Sequence, residues 1–219
     1  MSVLAHDLRT PLTAIRGATT LLIQSRDELD RGRVDLLLGI IESQAGQMAD
    51  KVEDLLVVSR LDAGRLHLFE EDSDLGRVVA AALEAARRAA PGRRLLAVGV
   101  IDGTLVHADS DRIAQVLRIL IDNAIRYSPE EEPVEIAVRK ERGGKVRVEV
   151  RDRGPGIPPA AAEKVFERFH RLETGGHGSG LGLHVARGLA RAMAGECGFS
   201  PRAGGGSVFW FTLPQTTTK

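Results

Sequence analysis

The most constraining feature of the sequence is a series of apolar positions that recurs at alternating spacings of four and three across residues 34–59. A spacing sustained over several heptads predicts a helix that packs along another helix. A shorter series with the same spacing covers residues 4–22, and the polar residues 25–33 between them predict a turn. The chain is therefore predicted to begin with a helical hairpin. The two series are Leu4, Leu8, Pro11, Ile15, Ala18 and Leu22, then Val34, Leu38, Ile41, Ala45, Met48, Val52, Leu55 and Ser59.

The apolar seam of such a hairpin is too large for one hairpin to cover. Part of the seam would face water, because each helix can shield only one side of its neighbour. Two copies that pack their hairpins together bury the remaining surface. We therefore expect a homodimer held by a four-helix bundle.

Composition excludes several classes of function. Charged residues make up 27% of the 219 residues and the formal net charge is zero, so bulk charge favours neither nucleic acid nor an anionic membrane surface as a partner. No apolar run reaches the length of a membrane span, so we expect no membrane contact by this fragment. The single cysteine, Cys197, fits a reducing compartment. A cytoplasmic location is expected, whether or not the full-length protein is anchored in a membrane.

The helical pattern breaks near residues 64–70, where we place the boundary between a first domain, 1–66, and a second domain, 67–219. Beyond that point helix and strand patterns mix, which predicts an α+β chain. The predicted elements are a helix at 75–90, a hairpin of strands at 95–101 and 104–108, a helix capped by Asp109 or Ser110, strands at 134–139 and 145–151, helices at 159–169 and 181–194, and a final hairpin ending at Leu213.

Four sequence blocks in the second domain carry the chemistry. DNAIRYSP (122–129) ends a predicted helix, DRGPGIP (152–158) follows a strand, and FERFHR (166–171) precedes the glycine-rich loop LETGGHGSGLGL (172–183). Glycines let backbone N–H groups approach phosphate oxygens closely, and the N-terminus of the helix that follows favours negative charge. The loop lacks the lysine of the GxxxxGK[ST] motif. The blocks together predict a nucleotide site of a different kind.

The ordered blocks resemble those of the catalytic core of bacterial sensor histidine kinases, whose ATP-binding fold is shared with gyrase and Hsp90. AHDLRTPL resembles the phosphoacceptor box, and QVLRILIDNAIRYSP resembles the N box. DRGPGI, FERF and GHGSGLGL resemble the first glycine box, the F box and the second glycine box. The resemblance covers residues 1–214. It implies that the second domain is an α/β sandwich and that ATP and Mg²⁺ are the cofactors.

The resemblance also implies roles for single residues in the nucleotide site. Asn123 would bind Mg²⁺ together with triphosphate oxygens, which suits a hard oxygen ligand. Arg126, one turn later, would contact a phosphate oxygen, and Tyr127 would border the nucleotide. Asp152 would accept a hydrogen bond from the adenine amino group.

The glycine boxes supply most of the remaining nucleotide contacts that the resemblance implies. Gly154 and Gly156 would let the backbone pass close to the base, and Arg171 would reach the γ-phosphate from the start of a lid. The other positions of the two glycine boxes that the resemblance assigns to the nucleotide are Ile157, Gly178, Gly180, Leu181 and Gly182.

His6 is the candidate phosphoacceptor. The expected chemistry is attack by one imidazole nitrogen on the γ-phosphorus of ATP, which leaves the proton on the other nitrogen in surplus. A neighbouring carboxylate can orient the ring and accept that proton, and Asp7 has this role in the interpretation. Thr10 matches the family position that orients a water for hydrolysis of a phosphorylated response regulator.

The sequence departs from the family pattern in three places. Ile119 stands where the N box usually has a second asparagine, one turn before Asn123. The lid, 171–179, is short. Only five residues precede His6, so the upstream sensor module is expected to be absent from this chain.

The interpretation is a protein-histidine kinase that phosphorylates His6 and passes the phosphoryl group to an aspartate of a response regulator receiver domain. The regulator would dock near Ala14, Ala18, Leu21 and Leu22 of the first helix, together with neighbouring residues of the second helix. An alternative is a catalytically weak phosphotransfer or scaffold protein, which Ile119 and the short lid favour. A third is an ATPase of the chaperone or topoisomerase type. The handedness of the hairpin turn decides whether transfer occurs within or between protomers, and both remain open.

Overall fold

The computed structural model describes residues 2–25, 29–99, 103–172 and 180–216, with side chains from Leu8 onward. The N-terminal part is a hairpin of two long helices, α1 (Ser2–Gln24) and α2 (Arg31–Asp62), which pack along each other. Asp30 caps α2, because its carboxylate accepts a hydrogen bond from the backbone N–H of Arg33 at 2.8 Å. The predicted helical hairpin is confirmed.

The apolar series on α2 is only half covered within one chain. Its members at 34, 41, 48 and 55 are half-buried, whereas those at 38, 45, 52 and 59 are exposed. On α1, Pro11 and Ala18 are buried. One hairpin thus uses one side of the series for its own packing and leaves the other side at the surface. The dimeric bundle stays a prediction.

In the C-terminal part, the described residues form a five-stranded sheet with three α-helices. Its strands lie in the order β2-β4-β5-β7-β6, and all neighbours are antiparallel except β2 and β4. A separate two-stranded sheet pairs β1 with β3. The strands are β1 (Glu71–Asp74), β2 (Leu95–Ala97), β3 (Leu105–Ala108), β4 (Val134–Glu141), β5 (Lys145–Arg151), β6 (Cys197–Pro201) and β7 (Ser207–Pro214), and the helices are α3 (Leu75–Ala89), α4 (Ser110–Tyr127) and α5 (Gly182–Ala192).

The predicted hairpin of strands at 95–101 and 104–108 is wrong. Leu95 pairs in parallel with Val134 on β4, whereas Leu105 pairs antiparallel with Asp74 on β1. The two segments therefore belong to different sheets. A turn signal such as Asp102-Gly103 marks a reversal of the chain, but it carries no information about the partner of each strand.

The predicted helix at 159–169 is also wrong. The segment forms two 3₁₀ turns, Pro159–Ala161 and Lys164–Phe166, and then leaves the helical conformation. Phe169 has φ 60°, and its N–H donates to the carbonyl of Gly180 at 3.0 Å. The apolar spacing in this segment reflects burial of Val165 and Phe166 rather than a continuous helix. The predicted strands at 134–139 and 145–151 are confirmed.

The core of the C-terminal part includes the end of α2. Val57 and Val58 are buried in the same apolar cluster as residues of α4 and α5, and Leu61 lies against Gly188 of α5. The last turns of α2 therefore pack on the α/β unit as well as on the hairpin. The domain boundary at 66/67 stays a prediction. Within the described ranges, no helix is both long and apolar enough to cross a membrane.

Candidate nucleotide and phosphoacceptor sites

The C-terminal end of α4 provides one wall of the candidate nucleotide site. Asp109 caps this helix, since its carboxylate accepts from the N–H of Arg112 at 3.1 Å. The inward face of α4 is fully buried, which fixes the helix on the sheet. Asn123 is half-buried in the penultimate turn, and Arg126 and Tyr127 are exposed beyond it. All three predicted N-box residues thus lie on the same end of one rigid helix.

Asp152 lies directly after β5 and is only 3% exposed. Its Oδ1 atom accepts hydrogen bonds from the N–H of Gly154 at 2.7 Å and from the N–H of Ser207 at 3.1 Å. Burial raises the pKa of the Asp152 carboxyl, and these two hydrogen bonds and the charge of Arg202 oppose that shift. The result is a fixed, desolvated acceptor, which suits the amino group of a purine base.

Two of the predicted glycines are required by close backbone contacts. A Cβ atom on Gly154 would lie 2.6 Å from the carbonyl oxygen of Tyr127, so the first glycine box touches the end of the N box. Gly156 has φ +74°, a conformation that L side chains rarely adopt, and its Cβ position is 3.4 Å from the carbonyl oxygen of Gly206. The backbone therefore forms the wall of the candidate site here, and the approach of this backbone to a base stays a prediction.

The segment that connects β6 to β7 contributes residues that the sequence analysis missed. Ser207 donates its N–H to Asp152, and Gly206 packs its Cα against the Asp152 carbonyl, where a side chain would not fit. Arg202 bridges the Asp152 carbonyl oxygen at 3.2 Å and Glu135 at 2.6 Å. The signal that could have found them is the run GGGS at 204–207 at the start of a strand.

The phosphate end of the site is described only in part. Gly180 has φ +68° and packs against the backbone of Phe169, and Leu181 is buried just before α5. Ile157 packs against the core and does not reach far into solvent. Arg171 is exposed at the edge of the described residues. Gly178 and the lid residues 173–179 lie outside the described residues.

Ile119 has a structural role in this site. It is 4% exposed, and its Cγ2 atom lies 3.1 Å from the position of a Cβ on Gly182, the first residue of α5. An apolar side chain therefore sets the separation between the helix that carries Asn123 and the helix N-terminus expected to face phosphate. Ile119 supplies packing where a polar side chain would have supplied an oxygen or nitrogen.

The donor set fits Mg²⁺ bound together with a triphosphate. The described part of the chain contains no group of three or more His, Cys, Asp or Glu side chains that could hold a metal by itself. The Asn123 amide oxygen is a suitable hard ligand, and Mg²⁺ commonly takes its other ligands from phosphates and water. A protein site with one oxygen ligand is thus compatible with a metal that arrives with ATP.

The phosphoacceptor box lies on α1. The helix includes the backbone of His6 and Asp7, but their side chains lie outside the described residues. Thr10 is exposed. Ala18, expected near a docked regulator, is buried, whereas Leu21 is exposed and Ala14 and Leu22 are half-buried.

Comparison with protein-family models gives two matches that together account for most of the chain. Residues 1–64 match the His Kinase A (phospho-acceptor) domain. Residues 108–217 match the histidine kinase-, DNA gyrase B- and HSP90-like ATPase family. The order of the two matches is the order that the sequence blocks predict.

Curated relatives include sensory kinases. The chain is 36% identical over 219 residues to the adaptive-response sensory kinase SasA of Synechococcus sp. (strain JA-2-3B'a(2-13)), covering 98% of this chain and 58% of that protein. It is 33% identical to the signal transduction histidine-protein kinase AfsQ2 of Streptomyces coelicolor, covering 97% of this chain and 41% of that protein. The chain thus spans less than two thirds of these relatives.

Solved structures show the same architecture. Full-length ShkA in complex with AMPPNP superposes with a TM-score of 0.70 at 28% identity, covering 98% of this chain and 45% of that one. The histidine kinase AdeS of Acinetobacter baumannii gives a TM-score of 0.69 at 29% identity, covering 97% and 98% of the two chains. The predicted combination of a helical hairpin and an α/β unit is confirmed.

Proposed function

Because the chain belongs to the histidine kinase family, with a phosphoacceptor region followed by a histidine kinase-, gyrase- and HSP90-like ATPase domain, we propose that it is an ATP-dependent protein-histidine kinase. It binds ATP with Mg²⁺ at the end of α4 and transfers the γ-phosphoryl group to His6. The phosphoryl group then passes to an aspartate of a response regulator receiver domain.

One observation carries the proposal most directly. Asp152 is buried with two backbone N–H donors on one oxygen, and Gly154 beside it touches the backbone of Tyr127 at the end of α4. The base-recognition residue and the metal-binding helix are thereby joined in one pocket wall. A helical hairpin with a histidine-aspartate pair precedes that wall in the same chain, which supports a proposal that places the phosphoryl donor and the acceptor on one chain.

In the proposed reaction, the free imidazole nitrogen of His6 forms a bond to the γ-phosphorus while the bond to the β,γ-bridging oxygen breaks and ADP leaves. Asp7 orients the ring and accepts the proton from its other nitrogen. Mg²⁺, when bound, neutralises charge on the triphosphate. Asn123 would hold the metal, and Arg126 and Arg171 would bind phosphate oxygens.

The partners follow from the same proposal. The exposed stripe on α2, at positions 38, 45, 52 and 59, is the surface on which a second copy packs to complete a four-helix bundle. The receiver domain docks near the exposed Leu21, and Thr10 orients the water by which the kinase dephosphorylates the regulator. Burial of Ala18 shifts the regulator contact to its exposed neighbours.

Incubation of the chain with γ-labelled ATP and Mg²⁺ tests the proposal. We expect acid-labile, base-stable label on the protein, loss of the label in His6→Gln, and chase of the label from the wild type by a receiver domain. Nucleotide binding without label would contradict the proposal and support a scaffold protein. Steady release of phosphate without labelling would indicate an ATPase instead.

A further inference from the structure

A network of charged side chains joins α2 to the helix that carries the metal ligand. Three acidic residues of α2, at 50, 53 and 54, face Arg112, Gln115 and Arg118 of α4. The same helix α4 carries Asn123 one turn further on. The contact therefore connects the hairpin directly to the nucleotide site.

Arg118 lies at the centre of this network. Its Nη2 atom is 3.0 Å from Asp54 Oδ1, and its Nη1 atom is 3.4 Å from Asp50 Oδ2. The same Nη1 atom is 3.7 Å from the carboxylate of Asp122, the neighbour of Asn123. One guanidinium group thus links two turns of α2 to the turn of α4 next to the metal ligand.

The flanking contacts hold the same register. Arg112 Nη1 is 2.9 Å from Glu53 Oε1, and Gln115 Nε2 donates to Asp54 Oδ1 at 2.9 Å. Asp54 and Gln115 are largely buried, so solvent screens this pair less than an exposed one. Several directional hydrogen bonds between the same two helices constrain how far one helix can slide along the other. The network therefore defines the relative position of α2 and α4 in addition to attracting them.

The network lies at the level of the phosphoacceptor along the hairpin. His6 lies about 27 Å from Gln24, the last residue of α1, given the rise of an α-helix. Ala49 lies about 27 Å from Arg31, the first residue of α2, by the same measure. In an antiparallel hairpin the two positions are level, and Asp50 is next to Ala49. If the two-fold axis of the dimeric bundle runs along the helices, the His6 residues of both protomers lie at the same height along the bundle as Asp50.

We infer that Arg118, with Asp50, Glu53 and Asp54 of α2, sets the register of the catalytic unit along α2 and so places Asn123 at the level of His6. Arg118 is a positioning residue for phosphoryl transfer: it acts through the placement of α4 on α2. The expected effect on the rate of phosphoryl transfer rests on the proposed function. The position of the catalytic unit along α2 does not depend on that function.

Kinetics of self-labelling in the full chain test the inference. In Arg118→Gln, we expect the initial rate of label transfer at saturating ATP to fall about tenfold or more, because small misplacement of reacting groups is costly. The dissociation constant for a non-hydrolysable ATP analogue should stay within about twofold, since Arg118 is outside the nucleotide contacts. A variant that merely misfolds would lose both.

Charge reversal across the neighbouring pair provides the specific control. Glu53→Arg and Arg112→Glu should each slow transfer, and the double variant should recover most of the rate because the attraction is restored in the opposite sense. Arg77→Glu, which changes an exposed arginine on α3, serves as the matched control and should leave the rate unchanged. An unchanged or faster rate in Arg118→Gln, or a double variant without recovery, would overturn the inference.

A distance measurement separates this inference from the proposed kinase activity. Spin labels at Ser43→Cys on α2 and Glu131→Cys after α4 report the register, with excess unlabelled protein to suppress distances between protomers. Cys197 does not interfere, because burial raises the pKa of its thiol to about 12. We expect a narrow distribution of label-to-label distances in the parent and a broad one after Arg118→Gln. The double variant Glu53→Arg, Arg112→Glu, which keeps Arg118, should again give a narrow distribution. If the parent shows a narrow distance distribution but no phosphoryl label on His6, the proposed kinase activity is rejected and the inferred register stands. If all variants give the same distance distribution, the inferred role of Arg118 in setting the register is rejected.

Discussion

The hairpin and the α/β unit use their apolar residues in opposite ways. In the α/β unit, large side chains such as Phe211, Ile136 and Leu117 are fully buried within one chain. In the hairpin, side chains such as Leu36, Leu38 and Ile23 are more than half exposed. The α/β unit can therefore complete its core alone, whereas the hairpin leaves apolar surface that a second copy is expected to cover.

The difference indicates how binding and transfer are divided between the two regions. In the proposed kinase, nucleotide recognition depends on Asp152, which hydrogen bonds to the backbone of Gly154 and Ser207 hold in place at the end of β5. The proposed acceptor, His6, lies on α1, and we expect the surroundings of this helix to change when a second copy packs or a regulator docks. We expect substitutions in the α/β unit to change stability and ATP binding, and substitutions on the hairpin surface to change assembly.

The largest expected effect is the loss of stability when a large side chain in the core of the α/β unit is truncated. Phe211 is 0% exposed on β7, so Phe211→Ala should lower the free energy of unfolding by about 3–5 kcal/mol. Denaturant unfolding followed by fluorescence of the single tryptophan, Trp210, measures it. Phe69→Ala is the control, because Phe69 is 83% exposed and its loss should cost no more than about 0.5 kcal/mol. If Phe211→Ala and Phe69→Ala lower the free energy of unfolding equally, the prediction that burial of Phe211 stabilises the α/β unit is contradicted.

An intermediate effect is expected on assembly from the hairpin surface. Leu38 is 51% exposed on the uncovered stripe, and Leu38→Glu places a charge in the predicted dimer seam. We expect dimerisation to weaken by about 2 kcal/mol, roughly thirtyfold in dissociation constant. Sedimentation equilibrium over a range of concentrations measures the change.

Ser43→Glu is the matched control for that change, since Ser43 lies on α2 roughly opposite the stripe and is exposed. It should leave the dissociation constant nearly unchanged. If both variants dissociate alike, or if neither does, the seam has been assigned to the wrong face of α2. Unfolding monitored at Trp210 should stay the same in both variants.

The smallest expected effect is the pH dependence of ATP binding. Burial raises the pKa of Asp152, so this carboxyl takes up a proton at a higher pH than an ordinary aspartate. ATP affinity should fall as the pH drops through that pKa, by no more than about tenfold per pH unit, because the protonated group loses its anionic acceptor. Titration calorimetry at several pH values measures the effect.

Stability should respond to Asp152 in the opposite direction. Because the pKa is raised in the folded state, the stabilising contribution of the protonated form is complete below the unfolded pKa and is lost as the pH rises through the folded pKa. Asp152→Asn removes this titration and should flatten both profiles. A wild-type affinity that is constant down to the pKa of ordinary aspartates would contradict the assignment.

The parts of the fold that were predicted correctly are those with local signals. The heptad spacing on α2 predicted the hairpin, and the alternation at 145–151 predicted β5 with the correct bounds. The error at 95–108 arose because Asp102-Gly103 marks a turn without identifying partner strands. The error at 159–169 arose because the burial of Val165 and Phe166 imitates a helical period.

For the candidate site, the sequence alone determined which residue types are present and in what order: a histidine-aspartate pair, an asparagine at the end of a helix, and glycines around an aspartate. Only the tertiary structure decided that Ser207 and Arg202 support Asp152, that Ile119 spaces α4 from α5, and that Arg118 joins α4 to α2. The physical reason is range. Periodicity, turn chemistry and glycine conformation act over a few residues, whereas these contacts join segments dozens of residues apart, whose proximity depends on how the whole core packs.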